Sequence, residues 1–317
     1  MEDKEVRYSP RMVAYVDVLG FRNMVRESEQ DPSSIHGIWG ILQATRDQVM
    51  QMNSVGHDSQ HEPPPLELQS VMFSDTVVMT QSICEHSRAA ALLEWVSILQ
   101  TTLLERGVFV RGAVALGEMY VDGNLMFGPA LLKAYDAESL AVWPRVVIDP
   151  SVLEVEAATK WLQHFGTRDN DGLLYVDYLR STLVTEIAIE VEVALRSGQV
   201  TRQHLTEPIA RRYFGEHAEG IVRSVLSLDW ESDGKTVQKY HWLAEYHNSA
   251  IDDLRLAASG EGESHSRYSD SVAWDLSRGS KAYVASRTRV DDELRRTYES
   301  VRDLRLDLRA CFPRLYR

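Results

Sequence analysis

MVAYVDVLGF (Met12–Phe21) and LQSVMFSDTVVMTQ (Leu68–Gln81) are apolar runs of strand character, each interrupted by one aspartate, Asp17 and Asp75. The valines and the tyrosine favour extended backbone. In the second run, FSD between two apolar halves reads as a hairpin turn containing Ser74 and Asp75. A carboxylate inside a buried strand is costly unless something pairs with it. Two carboxylates brought together repel, so one takes up a proton unless a cation sits between them. A divalent metal resolves both problems: magnesium in nucleotide enzymes is held by one or two carboxylates plus substrate phosphates. Two such ions can activate an attacking oxygen and stabilise a leaving one. After Asp17, the turn LGFR offers Gly20 and neighbouring backbone amides to phosphate oxygens. Taken singly, each aspartate has a plainer reading as a turn-former.

Working outward, Ser34 to about Met52 has helical spacing, with Gly37 and Gly40 weakening its first turn. Asn53–Pro65 is a loop by composition. Ser87–Arg106 carries a helical stripe that stops at Gly107, and Val108–Leu116 is a strand. Pro129 opens the helix ALLKAYDAESLA. Arg145–Asp149 is a strand, Val152–Phe165 a helix, and Leu173–Leu179 a further strand. From Ser181 the alternation ends, and VTEIAIEVEVALRSG, EGIVRSVLSL and KTVQKYHWLAEYHNSAIDDLRLAA all have helical periods. Ser259–Ser271 reads as a flexible loop and Asp291–Arg309 as a charged amphipathic helix. The pattern predicts an α+β domain over residues 1–180, the part that would carry the site built on Asp17 and Asp75, and an all-helical C-terminal region over 181–317.

The 317 residues are 44% hydrophobic and 26% charged, enough to build a core. No run of about eighteen apolar residues is present, which argues against a membrane span. The charged N-terminus lacks the apolar stretch of a signal peptide, and the two cysteines, Cys84 and Cys311, have no metal-ligand spacing. These features predict a reduced, cytoplasmic protein. A net charge of −13 argues against nucleic acid as the main partner but leaves room for a small anionic substrate. SDGKT (Ser232–Thr236) ends like a phosphate-binding loop, but Asp229 stands where its glycine is required. His57 and His61 lie in a Pro-rich loop, His241 and His247 read as helix faces, and Asp252 and Asp253 as a solvated face.

DVLGF, FSDTVV, RGAVALGEM and FGPALLKAYDAESLA follow one another in an order and spacing that resembles the class III nucleotidyl cyclases across roughly Val13 to Ile148. With PRVVID, DGLLYVDYL and the helical WLAEYHNSAI added, the chain looks like the pyrimidine cyclases of the Pycsar bacterial anti-phage systems. The resemblance implies an antiparallel-centred sheet flanked by helices. It also implies a reaction in which the 3′-hydroxyl of a nucleoside triphosphate attacks its own α-phosphate, giving a 3′,5′-cyclic monophosphate and pyrophosphate. Asp17, Asp75 and the carbonyl of Val18 would hold two Mn²⁺ or Mg²⁺ ions. The amides of Leu19, Gly20 and Phe21 would cradle the β- and γ-phosphates. UTP is the favoured substrate and CTP the runner-up. Sites between two subunits imply a homodimer, and the cyclic nucleotide would act on a separate effector protein.

The chain departs from class III where an Asn and an Arg stabilise the transition state, since Leu132 and Asp136 occupy those positions. An active enzyme then needs another cation; the candidates are Lys133, Arg111 and Arg145. Tyr135 is a candidate for substrate binding; it and Glu138 are open between lining the nucleotide pocket and packing on the sheet. Two alternatives from other classes remain: a nucleotide sensor without catalysis, and a polymerase or diguanylate cyclase palm. The acidic charge counts against a polymerase, and FSDTV in place of a Gly-Gly-Asp/Glu-Glu-Phe hairpin counts against a diguanylate cyclase.

Overall fold

The computed structural model describes residues 6–55, 68–83, 90–123, 125–197, 206–260, 262–279 and 287–316. Cys84, His57, His61 and most of the expected loop at 53–65 lie outside the described residues. The chain forms two compact units, residues 6–103 with 108–176, and residues 104–107 with 177–316.

The first unit is built on one sheet. Its elements are β1 (Ser9–Val18), α1 (Phe21–Gln30), α2 (Ile35–Val55), β2 (Leu68–Phe73), β3 (Thr76–Ser82), α3 (Ala91–Leu104), β4 (Val110–Asp122), β5 (Leu125–Phe127), α4 (Pro129–Leu140), β6 (Val146–Ile148), α5 (Glu156–Phe165), β7 (Gly166–Arg168) and β8 (Leu174–Val176). The strands lie in the order β2-β3-β1-β4-β6-β8-β7, with β5 paired to the far end of β4. All pairs are antiparallel except β4 with β6. The first four strands and their helices make a split β-α-β-β-α-β arrangement. Strand β1 is central, and Met12, Val13 and Ala14 are fully buried because both faces of the sheet are covered. On one face Ala130 and Ala134 of α4 pack against Val13, Ala115 and Met119. On the other, the Gln81 side chain accepts the Leu92 N–H at 3.0 Å and fastens the start of α3 to β3.

Small residues on β4 set these distances. A methyl group on Gly112 would stand 2.4 Å from the Tyr15 carbonyl oxygen, so the β1–β4 rung beside Val16 admits only glycine. On the α4 side, Gly117 faces Ala130 with room for ordinary contact at 3.4 Å.

The second unit is all helical: α6 (Tyr178–Ser197), α7 (Thr206–Leu226), α8 (Gly234–Ala258), α9 (Gly262–Gly279), α10 (Arg287–Val301) and α11 (Leu308–Cys311). At its centre the rings of His217 and His247 stack, with centroids 5.2 Å apart and planes 13° from parallel. His217 Nε2 hydrogen-bonds Tyr178 Oη at 2.7 Å, and His247 Nε2 donates to the Leu304 carbonyl at 2.9 Å. Among the described residues no helix is long and apolar enough to cross a membrane.

Three sequence expectations are corrected. The strand expected over Leu173–Leu179 ends at Val176, because the Asp177 carboxylate accepts the Arg180 N–H and starts α6. The expected loop at Ser259–Ser271 is largely α9, whose buried His265, Tyr268, Val272 and Leu276 follow a helical period beneath a Ser- and Glu-rich composition. The expected helix Asp291–Arg309 is interrupted after Val301: the Asn248 side chain takes the Leu306 N–H at 2.8 Å and donates to its carbonyl at 2.9 Å, holding that backbone out of the helix.

Gly112→Ala is expected to lower the unfolding free energy by roughly 1–3 kcal/mol by forcing β1 and β4 apart. Gly117→Ala should change it by no more than about 1 kcal/mol. Urea denaturation midpoints compare the two.

Candidate active site

Register brings the candidate residues together. Asp17, next to last in β1, is paired with Thr76 of β3 on one side and Arg111 of β4 on the other. Paired residues share a face, so all three side chains point the same way. Thr76 Oγ1 donates to Asp17 Oδ1 at 3.3 Å. Phe73 pairs with Thr76, which leaves Ser74 and Asp75 as a two-residue turn, with Ser74 in the left-handed region at φ 56°. The turn puts the Asp75 carboxyl within hydrogen-bonding reach of Asp17. Burial, the Asp75 charge and that hydrogen bond push the Asp17 carboxyl up to about 6, against the opposing pull of Arg111. The two aspartates therefore form one acidic pair.

Arg111 brings a cation to this site. Its Nε lies 3.8 Å from Asp17 Oδ2 and 2.7 Å from Glu138 Oε1. Glu138 is buried on α4, and its position was not decided by the sequence; the signal was the stripe Ala130, Ala134, Glu138, every fourth residue on the face of α4 turned to the sheet. Tyr15, two residues before Asp17 and on the same face, meets the exposed Tyr135 of α4 edge-to-face at 5.4 Å. Tyr15 and Thr76 are site residues that sequence reasoning missed; counting alternate residues back from Asp17 finds the first.

The turn after β1 is partly as expected. Gly20 has φ 79° and precedes the first turn of α1, where the early amides have no acceptor within the helix. The Leu19 N–H, however, donates to the Phe109 carbonyl at 2.8 Å, so it is not available to a phosphate. That bond fixes the alternation along β1: the Val18 carbonyl is directed to the β3 side, toward the turn that carries Asp75.

Lys133 and Arg145 are not brought to the pair. Lys133 Nζ donates to the Leu116 carbonyl at 3.0 Å. Leu116 faces Met12, five residues along the ladder from the Asp17–Arg111 rung, or about 17 Å away. Arg145 is fully buried, its guanidinium engaged by Asp169 and Asp171 and set over the Tyr175 ring. It fastens β6 to the β7–β8 turn. Leu132 stands exposed on α4.

No family model matches the sequence, and no curated protein matches it. Similar solved structures include one described as a class III adenylyl cyclase-like ATP-binding protein from Pseudomonas aeruginosa, at 13% identity and a TM-score of 0.36. The match covers 54% of this chain and 39% of that one.

A raised carboxylate pKa has a definite sign. Between the usual value near 3.8 and about 6, the folded state binds more protons than the unfolded one, so this group's contribution to stability falls as pH rises. In metal-free buffer Asp17→Asn is expected to melt at a higher temperature than wild type at pH 7.5, with the advantage vanishing near pH 4.5. Thermal melts of both proteins across that range check it.

Proposed function

We propose that the chain is a metal-dependent nucleotide cyclase of the class III kind that converts UTP to 3′,5′-cyclic UMP and pyrophosphate. The observation that carries this reading is the acidic pair Asp17–Asp75 at the end of a split β-α-β-β-α-β sheet with the Arg111 guanidinium beside it. The donor set fits a hard divalent cation. Among the described residues no three His, Cys, Asp or Glu side chains gather as a metal cluster. The site instead offers two carboxylates and a main-chain carbonyl, which suits Mg²⁺ or Mn²⁺ completed by substrate oxygens. Asp17, Asp75 and the Val18 carbonyl would hold two such ions, which lower the pKa of the substrate 3′-hydroxyl and neutralise phosphate charge.

The chain's own groups do the rest. The amides of Gly20 and Phe21 donate to β- and γ-phosphate oxygens at the start of α1. Arg111 faces the α-phosphate, where negative charge accumulates as the 3′-oxygen attacks, and takes the part of the missing class III arginine. Tyr135, backed by Tyr15, offers its ring to the base. The apolar Leu132, Tyr135 and Leu140 exposed on α4 suit a homodimer contact. In this reading the product acts on a separate effector in defence against phage, as the sequence resemblance implies.

The test is incubation with ATP, GTP, CTP or UTP and Mn²⁺, with products identified by mass. Cyclic UMP from UTP is expected, with Asp17→Ala and Asp75→Ala inactive and Arg111→Ala reduced by at least about 100-fold. Cyclic CMP instead would move the base assignment alone. No product, together with binding of a triphosphate that survives Asp17→Ala, would overturn the cyclase in favour of a nucleotide sensor.

Metal binding has its own readout. The ions displace the proton on Asp17, so Mn²⁺ is expected to raise the melting temperature more at pH 7.5 than at pH 5. Asp75→Asn should abolish the difference.

A further inference from the structure

Among the side chains around the acidic pair, Glu138 has no place in the reaction just described, yet it is buried and charged. Its partner among the described residues is Arg111, at 2.7 Å from the guanidinium Nε. The rest of its stripe on α4 is alanine, chosen for close approach to β4. A helix that only needed to pack would continue with another small apolar residue, because burying a carboxylate is costly. Both carboxylates approach Arg111 most closely at Nε, the Glu138 contact being a close ion pair without hydrogen-bond alignment, and the arginine is about one-third exposed. An arginine whose Nε edge is taken up by carboxylates keeps its two terminal amino groups for another acceptor, and such a two-pronged donor matches a phosphate.

We propose that Glu138 is a positioning residue that anchors Arg111 by Nε so that its terminal amino groups form a preset phosphate-binding fork over Asp17. The inference rests on the reading that Arg111 meets substrate phosphate. It assigns α4 a second duty: the helix sets the reach of an arginine carried by β4. Holding the guanidinium in advance removes the ordering that a long free side chain would undergo in each turnover.

The experiment is a double-mutant cycle on the full-length protein with Glu138→Gln, Arg111→Ala and the pair, plus Glu138→Asp. Two quantities are read with Mn²⁺ present: affinity for inorganic triphosphate by calorimetry, and kcat and KM for UTP. Glu138→Gln is expected to weaken triphosphate binding and to lower kcat by roughly 10- to 100-fold. It should have no further effect when Arg111 is already alanine. Glu138→Asp, which keeps the charge but falls short, should lie between. Equal losses from Glu138→Gln in both arginine backgrounds would overturn the proposal, leaving Glu138 a packing residue. So would unchanged binding and kcat in a folded Glu138→Gln protein. If UTP is not turned over at all, the cyclase reading fails and the binding cycle alone decides; absence of triphosphate binding to wild type would overturn the fork as well.

Discussion

The site depends on one rung of the sheet, where Asp17 is flanked by Thr76 and Arg111. Side chains alternate between faces along a strand, so a slip of one residue in the β1 register would send Asp17 to the α3 face and leave Arg111 with Glu138 alone. The register is pinned at both margins. The two-residue turn at Ser74–Asp75 allows no slack between β2 and β3, and Gly112 lets β1 and β4 close at the rung beside Val16. Backbone geometry, more than any side-chain contact, holds like charges together.

Charge balance explains why such a site is tolerated. Asp17, Asp75 and Glu138 carry three negative charges against the single positive charge of Arg111, a deficit that a divalent cation or protons can fill. Arg145 shows the contrasting structural solution: a buried cation matched by Asp169 and Asp171 and shielded by Tyr175. That guanidinium is enclosed by the fold and is not presented to a ligand. One arginine is consumed by the fold and the other is held at its edge, although RGAVAL and PRVVID look alike as sequence.

Much of the first unit was legible because its signals are local. β1 and β3 announce themselves by paired or alternating valines, β2 by its apolar ends, and the Ser74–Asp75 turn by its position between β2 and β3. What escaped was short or depended on distant residues. β5 and β7 span three residues each, too few to display a period. The break near Leu306 is dictated by Asn248, more than fifty positions earlier. α9 hides a regular buried face under residues typical of loops. In the site, the aspartates were found because carboxylates in apolar strands are conspicuous. The fate of each arginine was not, because its partners lie on other elements.

The stacked histidines of the helical unit give this protein two opposing responses to acid. Burial holds His217 well below the ordinary imidazole range and His247 at about 4. An unfolded chain takes up protons there first, so this pair withdraws stability as pH falls from about 6.5 toward 4. Over much of the same interval protonation of Asp17 relieves the sheet unit. Acidification therefore strengthens the contribution of one group of residues while withdrawing that of the other, so the two responses partly cancel between about pH 6 and 4.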